Sequence, residues 1–442
     1  MDPKTHYLQQ FKDVEARTRE TNGSWLSQLR HRAIEDFSTA GFPTTRQEEW
    51  RYTNVGPILA TQFRPAPEAA NGLSPERLSP FTLGAGIGSL LTFVNGRLSK
   101  KLSRLASLPS GVRVESLVSA LGNGNADLQP HLGRHVETKG HPFAALNTAF
   151  LDDGALVVIS ADVDLKEPIH IVFATTPAEA VVTHPRVLIV GGKNSRASIV
   201  ESYVGFGDQP YFTNAVTEIV AQDNATIEHC RLLQEGSGSY HVSTTQSHLG
   251  RDSNLVSHNY VLGGSLIRNH VNSVLDAEGA ESTLFGLYVT ADRQHVDNHT
   301  RIDHAKPHCS SREIYKGILD DQSRGIFNGR VIVRPDAQKT DAKQTNRNLL
   351  LSREALADTN PELEIYADDV KCTHGATIGQ MDEDALFYLR ARGISEQAAR
   401  NVLIYAFARE LVDQVKSAPA REYLEKLLHE RLPGASGTSE HL

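Results

Sequence analysis

The pattern of apolar and polar positions changes twice along the chain, at about residue 150 and again near Met381. The segment up to about residue 56 favours helix, because apolar side chains recur there at helical spacing. The residues that carry this pattern are Trp25, Leu26, Leu29, Ala33 and Phe37. From about Leu151, short β-branched runs alternate with Asp, Asn and Gly as far as about residue 380. The middle of the chain is therefore expected to consist of strands.

Polar turn sequences recur within this middle region at intervals of roughly 26 to 30 residues, the range typical of repeat architectures. They begin at Asn194, Asn224, Ser253 and Gly279. Each unit holds two strand-like runs and cannot bury its apolar face alone, so it must stack on its neighbours. The pattern predicts a mainly β fold, a parallel β-helix with two strands per turn. A β-sandwich is the alternative that strand spacing alone leaves open.

Three apolar residues illustrate what the repeat predicts for the core. Ile199, Ile227 and Val256 each follow a turn sequence at a similar distance. We expect them to occupy equivalent inward positions in successive coils of the stack.

The stretch from Pro361 to Met381 joins the strand region to a helical end. Apolar and polar residues alternate up to Ala367, and a second short strand is expected from Val370 to His374. Cys372 and His374 are two residues apart, so on a strand they project from the same face. A thiol and an imidazole on one face form a candidate chemical site, and simple packing is the other interpretation.

Helical patterns return after Met381. Ser395 is expected to cap a second helix that runs to about Val415. This helix is apolar around most of its circumference, so it is either sandwiched inside the fold or offered to a partner. A third helix is expected to open at Pro419, and residues 434–442 are expected to form a loose tail. The predicted regions are a helical and mixed part over 1–148, a β-helix core over 149–380 and a helical part over 381–442.

Composition narrows the class of protein. Of 442 residues, 39% are hydrophobic and 22% charged, which is sufficient for a packed core. The net charge of −8 argues against nucleic acid or an anionic membrane as the main partner. Cys230, Cys309 and Cys372 are too few and too scattered for a disulfide framework, which indicates a reducing compartment. The chain starts without a signal-peptide pattern and lacks a run of about 18 apolar residues, so we expect a cytoplasmic protein.

A second group of potential ligands lies further along the strand region. Its members are His295, His299, His304, His308 and Cys309. Their density invites a metal interpretation, but their spacing matches no compact metal loop. Polar ladders on the β-helix surface are the expectation here, and no metal site is predicted.

Motifs of common enzyme classes give no support for catalysis. The sequence Gly191-Gly-Lys193 is not a phosphate loop, because Val187 and Asn194 stand where a glycine and a hydroxyl residue belong. Nucleophile elbows, zinc-protease helices and Cys-x-x-Cys pairs do not occur in the sequence either. A non-catalytic chain is therefore expected.

Several longer blocks together resemble one protein family. They span Tyr315–Ser352, Ile365–Thr377, Leu386–Ile394, Gly41–Pro43 and Glu49–Thr53. This combination closely resembles the SufB/SufD family of iron–sulfur cluster assembly scaffolds, over a region from about residue 40 to about residue 410. The resemblance implies a flattened right-handed β-helix between helical ends, in agreement with the repeat pattern.

Within that family the chain resembles the SufD members more than the SufB members. Residues Val370–Thr377 match the SufD pattern Val-Lys-Cys-x-His-Gly-Ala-Thr. SufB members carry a glutamate, which helps to build the nascent cluster, at the position of Gly375. The resemblance therefore implies a scaffold subunit without an independent cluster site.

The resemblance also implies partners and site residues. It implies pairing with a SufB-type paralogue, binding to SufC-type ATPases, and a homodimer as a further state of the isolated chain. Cys372 and His374 would belong to the cluster-assembly interface, and Tyr405, Phe407 and Leu411 to the surface that binds the ATPase. No cofactor is expected to bind tightly to this chain alone, although an iron–sulfur cluster would form transiently in the complex.

An alternative from another functional class is a β-helix enzyme that acts on polysaccharide. It would use carboxylates such as Asp297, Asp303 and Asp320. The position of these side chains in the fold, and the activity of the purified chain, separate this alternative from a scaffold.

Overall fold

The structure, a computed structural model, describes residues 2–18, 24–67, 72–84, 87–123 and 128–432. The expected tail over residues 434–442 lies outside this part of the chain. The α-helices are α1 (Pro3–Thr18), α2 (Ser24–Ala40), α3 (Gly56–Leu59), α4 (Pro75–Leu78), α5 (Leu117–Gly122), α6 (Pro142–Ala149), α7 (Glu383–Arg390), α8 (Glu396–Val412) and α9 (Ala418–Arg431). In the described residues, no helix is both long enough and apolar enough to cross a membrane.

Strands fill the chain between these helical ends. The N-terminal strands are β1 (Arg64–Pro65), β2 (Ser89–Val94), β3 (Arg97–Leu98), β4 (Arg104–Leu105), β5 (Val112–Ser116), β6 (Gly154–Ile159), β7 (Ile169–Thr175), β8 (Val181–Thr183) and β9 (Arg186–Gly191). The longer strands are β10 (Arg196–Gly205), β11 (Tyr211–Ala221), β12 (Thr226–Gln234), β13 (Ser239–Leu249), β14 (Asn254–Val261), β15 (Leu266–Leu275), β16 (Glu281–Thr290), β17 (His295–His304), β18 (Ser310–Leu319), β19 (Arg324–Val333), β20 (Asp341–Leu350), β21 (Leu356–Ile365) and β22 (Lys371–Gly379).

Two parallel sheets form a flattened solenoid with two long strands per turn. Sheet A runs in the order β21-β19-β17-β15-β13-β11-β9-β6-β5, and sheet B in the order β22-β20-β18-β16-β14-β12-β10-β7-β2-β3. From β9 onward, successive strands therefore alternate between the sheets, and from β11 onward each pairs in parallel with the strand two places before it. The predicted parallel β-helix is confirmed, and this pairing excludes the β-sandwich.

The recurrent turn residues stabilise the corners of the coils. Asp162, Asn194, Asn224 and Asp252 all lie in the left-handed region, with φ between 53° and 64°. Asn and Asp adopt this conformation more readily than other residues with a side chain. Asn194 donates from Nδ2 to Asp162 Oδ1 at 2.7 Å, and Asn224 donates to Asn194 Oδ1 at 2.9 Å. These side-chain ladders explain why polar turn residues recur in the sequence.

The space between the sheets, here called the lumen, is filled by alternate residues of each strand. Ile199 and Ile227 both belong to this core, but Ile199 pairs with His229, two positions beyond Ile227. Val256 lies on the opposite face of sheet B, and Leu255 occupies the position equivalent to Ile227. The predicted equivalence of Ile199, Ile227 and Val256 is therefore wrong, because a one-residue shift moves a side chain to the other face of a strand.

The C-terminal helices cover the outer face of sheet B. Apolar residues of α8 and α9 pack on outward residues of β12, β14 and β16 in one cluster. Tyr260 donates its hydroxyl to the carbonyl of Leu411 at 2.9 Å. The carboxylate of Glu228 accepts from the backbone amides of Lys416, at 2.7 Å, and Ser417, at 3.2 Å, immediately before α9. Helix α8 therefore packs against the outer face of sheet B through its buried apolar side.

The segment that contains Trp50 covers part of the outer face of sheet A. The guanidinium carbon of Arg268 lies 4.2 Å from the centre of the Trp50 ring, and Arg268 forms an ion pair with Asp297. Thr53 donates a hydrogen bond to the same carboxylate. Burial raises the pKa of Asp297, but Arg268, His299 and Thr53 together outweigh it and hold the pKa well below its usual range. This buried pair ties the N-terminal segment to the solenoid.

We expect Leu411→Ala to destabilise the fold, because Leu411 is 1% exposed and packs between α8 and sheet B. Removal of a buried leucine side chain typically costs about 2–5 kcal/mol. The measurement is thermal unfolding followed by circular dichroism, with the exposed Leu105→Ala as the control. A melting temperature equal to that of the control variant would contradict the packing described here.

Candidate functional site

The solenoid ends at strands β21 and β22, which we call the open end. Each is the last strand of its sheet, paired on one side with β19 or β20. Its other edge has no strand partner in the described part of the chain. Ile365 is 41% exposed and Ile378 is 47% exposed. Long unpaired edges of this kind favour pairing with another chain.

Cys372 and His374 lie on β22 and face the lumen at this open end. Cys372 pairs in register with Ala342 and His374 with Gln344, and both of these partners are inward and buried. The sequence prediction that the two side chains share one face is confirmed. The strand itself extends to Gly379, beyond the expected end at His374.

The Cys372 thiol is half-buried and forms no disulfide. It packs against a small apolar cluster that includes Val331, Val333 and Ala342. Burial raises the pKa of this thiol above its ordinary value. A thiolate, the form that binds a metal, therefore requires a cation or a metal ion to displace the proton.

Gly375 lies beside His374 on the outward face of β22. A Cβ atom at this position would meet no atom within 4 Å. The strand thus has room for a side chain where the sequence supplies none. The open end presents a thiol and an imidazole from this strand, without a carboxylate next to the imidazole.

A polar row continues from His374 into the lumen. Gln344 pairs in register with Glu313 on β18, and its Nε2 donates to Glu313 Oε2 at 2.7 Å. Gln344 is 2% exposed and Glu313 is 1% exposed. Sequence reasoning missed both residues. Glu313 has the two-residue spacing to Ser311 and Tyr315 that places all three on one face of β18. The sequence does not show that this face is the inward one.

Glu313 is an unusual buried carboxylate. Within the described residues it forms no ion pair, and burial raises its pKa to about 7. A carboxylate without a cationic partner is costly to bury in its charged form. Glu313 therefore holds a proton over part of the neutral pH range.

The histidine-rich group of the sequence is spread over several environments. His295 and His299 lie on the outer face of sheet A, close to Asp297. His304 faces the lumen and bonds to Ser311 at 2.9 Å, and burial lowers its pKa to about 4. His308 lies in a corner of the coil with φ of 59°. Among the described residues, no group of three or more potential ligands could hold a metal ion.

The carboxylates of the polysaccharide alternative do not form a common site. Asp297 is fully buried in its ion pair with Arg268. Asp303 is 4% exposed and pairs with Arg334 at 2.7 Å. Asp320 accepts from the backbone amide of Asp321 in a turn. These contacts give each of the three carboxylates a structural role in the fold.

The residues expected to bind an ATPase differ in exposure. Leu411 is buried against sheet B and offers no surface to a partner, because α8 turns this face toward the solenoid. Tyr405 and Phe407 are partly exposed, and Lys316 Nζ lies 4.5 Å from the centre of the Phe407 ring. The larger exposed apolar surface lies on α7, where Phe387 is 73% exposed and Tyr388 is 55% exposed.

Two family models match the chain and together cover most of it. The model of the SUF system FeS cluster assembly SufBD core domain matches residues 173–407. The model of the SufBD protein N-terminal region matches residues 1–171. The chain belongs to the SufBD family. The family resemblance found in the sequence is confirmed.

Relatives of the SufBD family align over most of their length. A SufBD family protein of iron–sulfur cluster assembly from Synechocystis sp. is 35% identical over 430 residues, or 94% of this chain and 94% of the relative. The iron–sulfur cluster assembly protein SufD of Escherichia coli is 31% identical over 420 residues, or 94% and 96%. A chloroplastic Arabidopsis thaliana protein, ABCI7, is 28% identical over 408 residues, or 90% and 84%. The SufBD core match includes the whole open end and most of α8.

The pKa of Glu313 predicts a pH-dependent stability of this SufBD protein. Because the folded-state pKa of about 7 exceeds the ordinary glutamate value, the contribution of Glu313 to stability is greatest below that ordinary value and falls as the pH rises to about 7. Glu313→Gln removes this loss. We expect the variant to be more stable than the wild type at pH 8.5, by on the order of 1–3 kcal/mol, and similar to it at pH 5.

Thermal melts at the two pH values measure this difference. The exposed carboxylate of Glu281 on the same sheet supplies the matched control, Glu281→Gln. If the difference between Glu313→Gln and the wild type were the same at both pH values, Glu313 would not hold a proton in the folded chain.

Proposed function

We propose that this chain is a SufD-type, non-catalytic scaffold subunit for iron–sulfur cluster assembly. It pairs with a SufB-type paralogue and binds SufC-type ATPases. The observation that carries the proposal is the position of Cys372 and His374 on the last strand, facing the lumen at the open end. The relationship to the E. coli protein named SufD supports the assignment to this branch of the family.

The open end supplies the surface for a second scaffold. Strands β21 and β22 span ten and nine residues, and their outer edges are available for backbone hydrogen bonds. A partner with a similar end would continue both sheets and cover the lumen. Cys372 and His374 would then lie between the two solenoids, shielded from bulk water.

The chemistry of the pair suits iron as the substrate. Thiolate sulfur and imidazole nitrogen both bind iron in cluster proteins. Four ligands are usual for each iron of a cluster, so this strand supplies at most part of a site. Because Gly375 contributes no carboxylate, the remaining ligands must come from the partner or from sulfide.

The ATPase surface is proposed to centre on α7 rather than on Leu411. Exposed aromatic side chains are enriched at protein interfaces, and Phe387 and Tyr388 lie next to each other on this helix. The guanidinium carbon of Arg392 lies 3.4 Å from the centre of the Tyr388 ring and adds a positive charge. Phe407 and Tyr405 on α8 would extend the surface at its partly buried edge.

We expect Cys372→Ser and His374→Ala to leave the fold and the complex intact but to reduce cluster assembly. His374 is exposed, and surface substitutions usually change stability by less than about 0.5 kcal/mol. Cys372 is half-buried, but replacing its sulfur with oxygen removes little volume. A serine hydroxyl is a poor iron ligand at neutral pH, and alanine provides none. The measurement is the iron and sulfide content of a complex reconstituted with the paralogue and the ATPase.

Thr373→Ala is the matched control, since Thr373 lies between the two residues but faces outward. Normal cluster content in both variants would exclude Cys372 and His374 from the mechanism. Sizing of the chain alone and with its paralogue distinguishes a homodimer from the heterocomplex. A complex that forms without the paralogue and still assembles clusters would overturn the proposed division of roles.

We expect Phe387→Asp to weaken ATPase binding by about tenfold or more, because an exposed aromatic anchor at an interface often contributes 2 kcal/mol or more. Solenoid stability should change little, since the ring is largely in water. Affinity for the ATPase is measured by calorimetry, with Val118→Asp, a 47% exposed apolar residue on α5, as the control. Equal affinities for both variants would place the ATPase elsewhere.

A further inference from the structure

The polar row beneath His374 has a feature that packing alone does not explain. Gln344 Oε1 is buried and has no hydrogen-bond partner among the described residues. Leaving a buried polar atom without a partner is costly. This atom lies one layer below the open end, and the Glu313 carboxyl beside it interacts with Thr300 and Gln344.

The orientation of the Gln344 amide follows from its contact with Glu313. The carboxylate oxygen accepts from Nε2 at 2.7 Å, so the amide nitrogen is directed into the lumen. The amide oxygen diverges from the same carbon and is not engaged by Glu313. The amide oxygen of Gln344 is therefore an acceptor without a donor among the described residues, one layer below the end of the solenoid.

The lumen is shaped to accommodate this side chain. Gly329 on β19 faces Gln344 across the lumen, and a Cβ atom at Gly329 would lie 2.3 Å from Gln344 Nε2. Any larger residue at Gly329 would displace the amide. The glycine and the Glu313 contact together fix Gln344 in one place.

The layer above Gln344 offers one strong donor on β22. Its inward residues are Cys372, His374, Ala376 and Ile378. Of these, His374 alone carries a side-chain N–H group, and it stands in register with Gln344. The next strand is about 4.8 Å away, within reach of an imidazole that turns toward the lumen.

We propose that Glu313 and Gln344 are positioning residues that select the tautomer of His374. One ring nitrogen of His374 donates to Gln344 Oε1, and the other nitrogen presents its lone pair to the interface with the second scaffold. Such a hydrogen bond orients a metal-binding histidine and fixes which nitrogen binds. His374 is exposed in the isolated chain and Gln344 Oε1 has no partner there, so the bond forms when a partner covers the open end. The inference deepens the proposed function and rests on it.

The test uses the reconstituted complex, in which only this chain carries 15N-labelled histidine. Subtraction of the spectrum of His374→Ala identifies the His374 ring nitrogens among those of the 19 histidines. We expect one tautomer in the wild type and a mixture in Gln344→Met, which fills the same space but cannot accept. Loss of such a supporting bond typically lowers metal affinity or activity by about 10- to 100-fold, so the cluster content should fall by about tenfold or more.

Asn348→Leu is the matched control. Asn348 is also buried and inward on β20, but it lies below Ile378, and its amide bonds to Asn346 and Tyr288. This variant should keep the wild-type tautomer and cluster content. A loss of the single tautomer in Asn348→Leu would show that general loosening of the lumen is responsible, and would overturn the proposal.

A single wild-type tautomer in Gln344→Met would also overturn the proposal. If that variant does not assemble, Glu313→Gln provides the same measurement. The comparison is made at pH 8.5, above the Glu313 pKa of about 7, where the wild-type carboxylate can only accept. A glutamine at position 313 can donate or accept, so it no longer orients the Gln344 amide, and a tautomer mixture is expected. If the wild-type complex builds no cluster at all, the proposed function fails, while the tautomer comparison still decides whether Gln344 orients His374.

Discussion

In-register stacking of parallel strands is the constraint on which the rest of this structure depends. Every strand inherits its inward and outward faces from the strand below, so Cys372 and His374 face the lumen because Ala342 and Gln344 do. The stack has to end, and its last strands keep hydrogen-bonding groups without neighbours. The fold thus places a thiol and an imidazole at the point where a second chain is most readily accepted.

The lumen buries polar side chains along much of its length, and those near the open end differ in how they are paired. In an earlier coil Glu201 forms an ion pair with His229 at 3.0 Å, whereas Glu313 in the last coils forms no ion pair among the described residues. Buried polar atoms that lack partners reduce stability, and an aliphatic core would be more stable. Proteins usually retain such a cost where function requires it. The unpaired groups at this end of the lumen are therefore consistent with the proposed site.

Much of the architecture was predictable from the sequence, because strand alternation and repeated turns are local signals. The shared face of Cys372 and His374 follows from a two-residue spacing alone. Val256 and Leu411 were misplaced for the same reason, since both are apolar and the sequence does not reveal which surface covers them. Glu313 was missed because its partner Gln344 lies a full coil away in the chain. Register across coils carries this information, and it appears only in three dimensions.

In the proposed complex with a SufB-type paralogue, the two halves of the interface would differ chemically. Burial disfavours the Cys372 thiolate, and Gly375 leaves the neighbouring position without a carboxylate. A metal ion that reaches Cys372 must displace a proton, and the charge that favours this step has to arrive with the partner or with iron itself. In the proposal, this chain is the side of the interface that receives the metal ion and orients it. In the proposed complex, the other scaffold or sulfide supplies the negative ligands that complete the site.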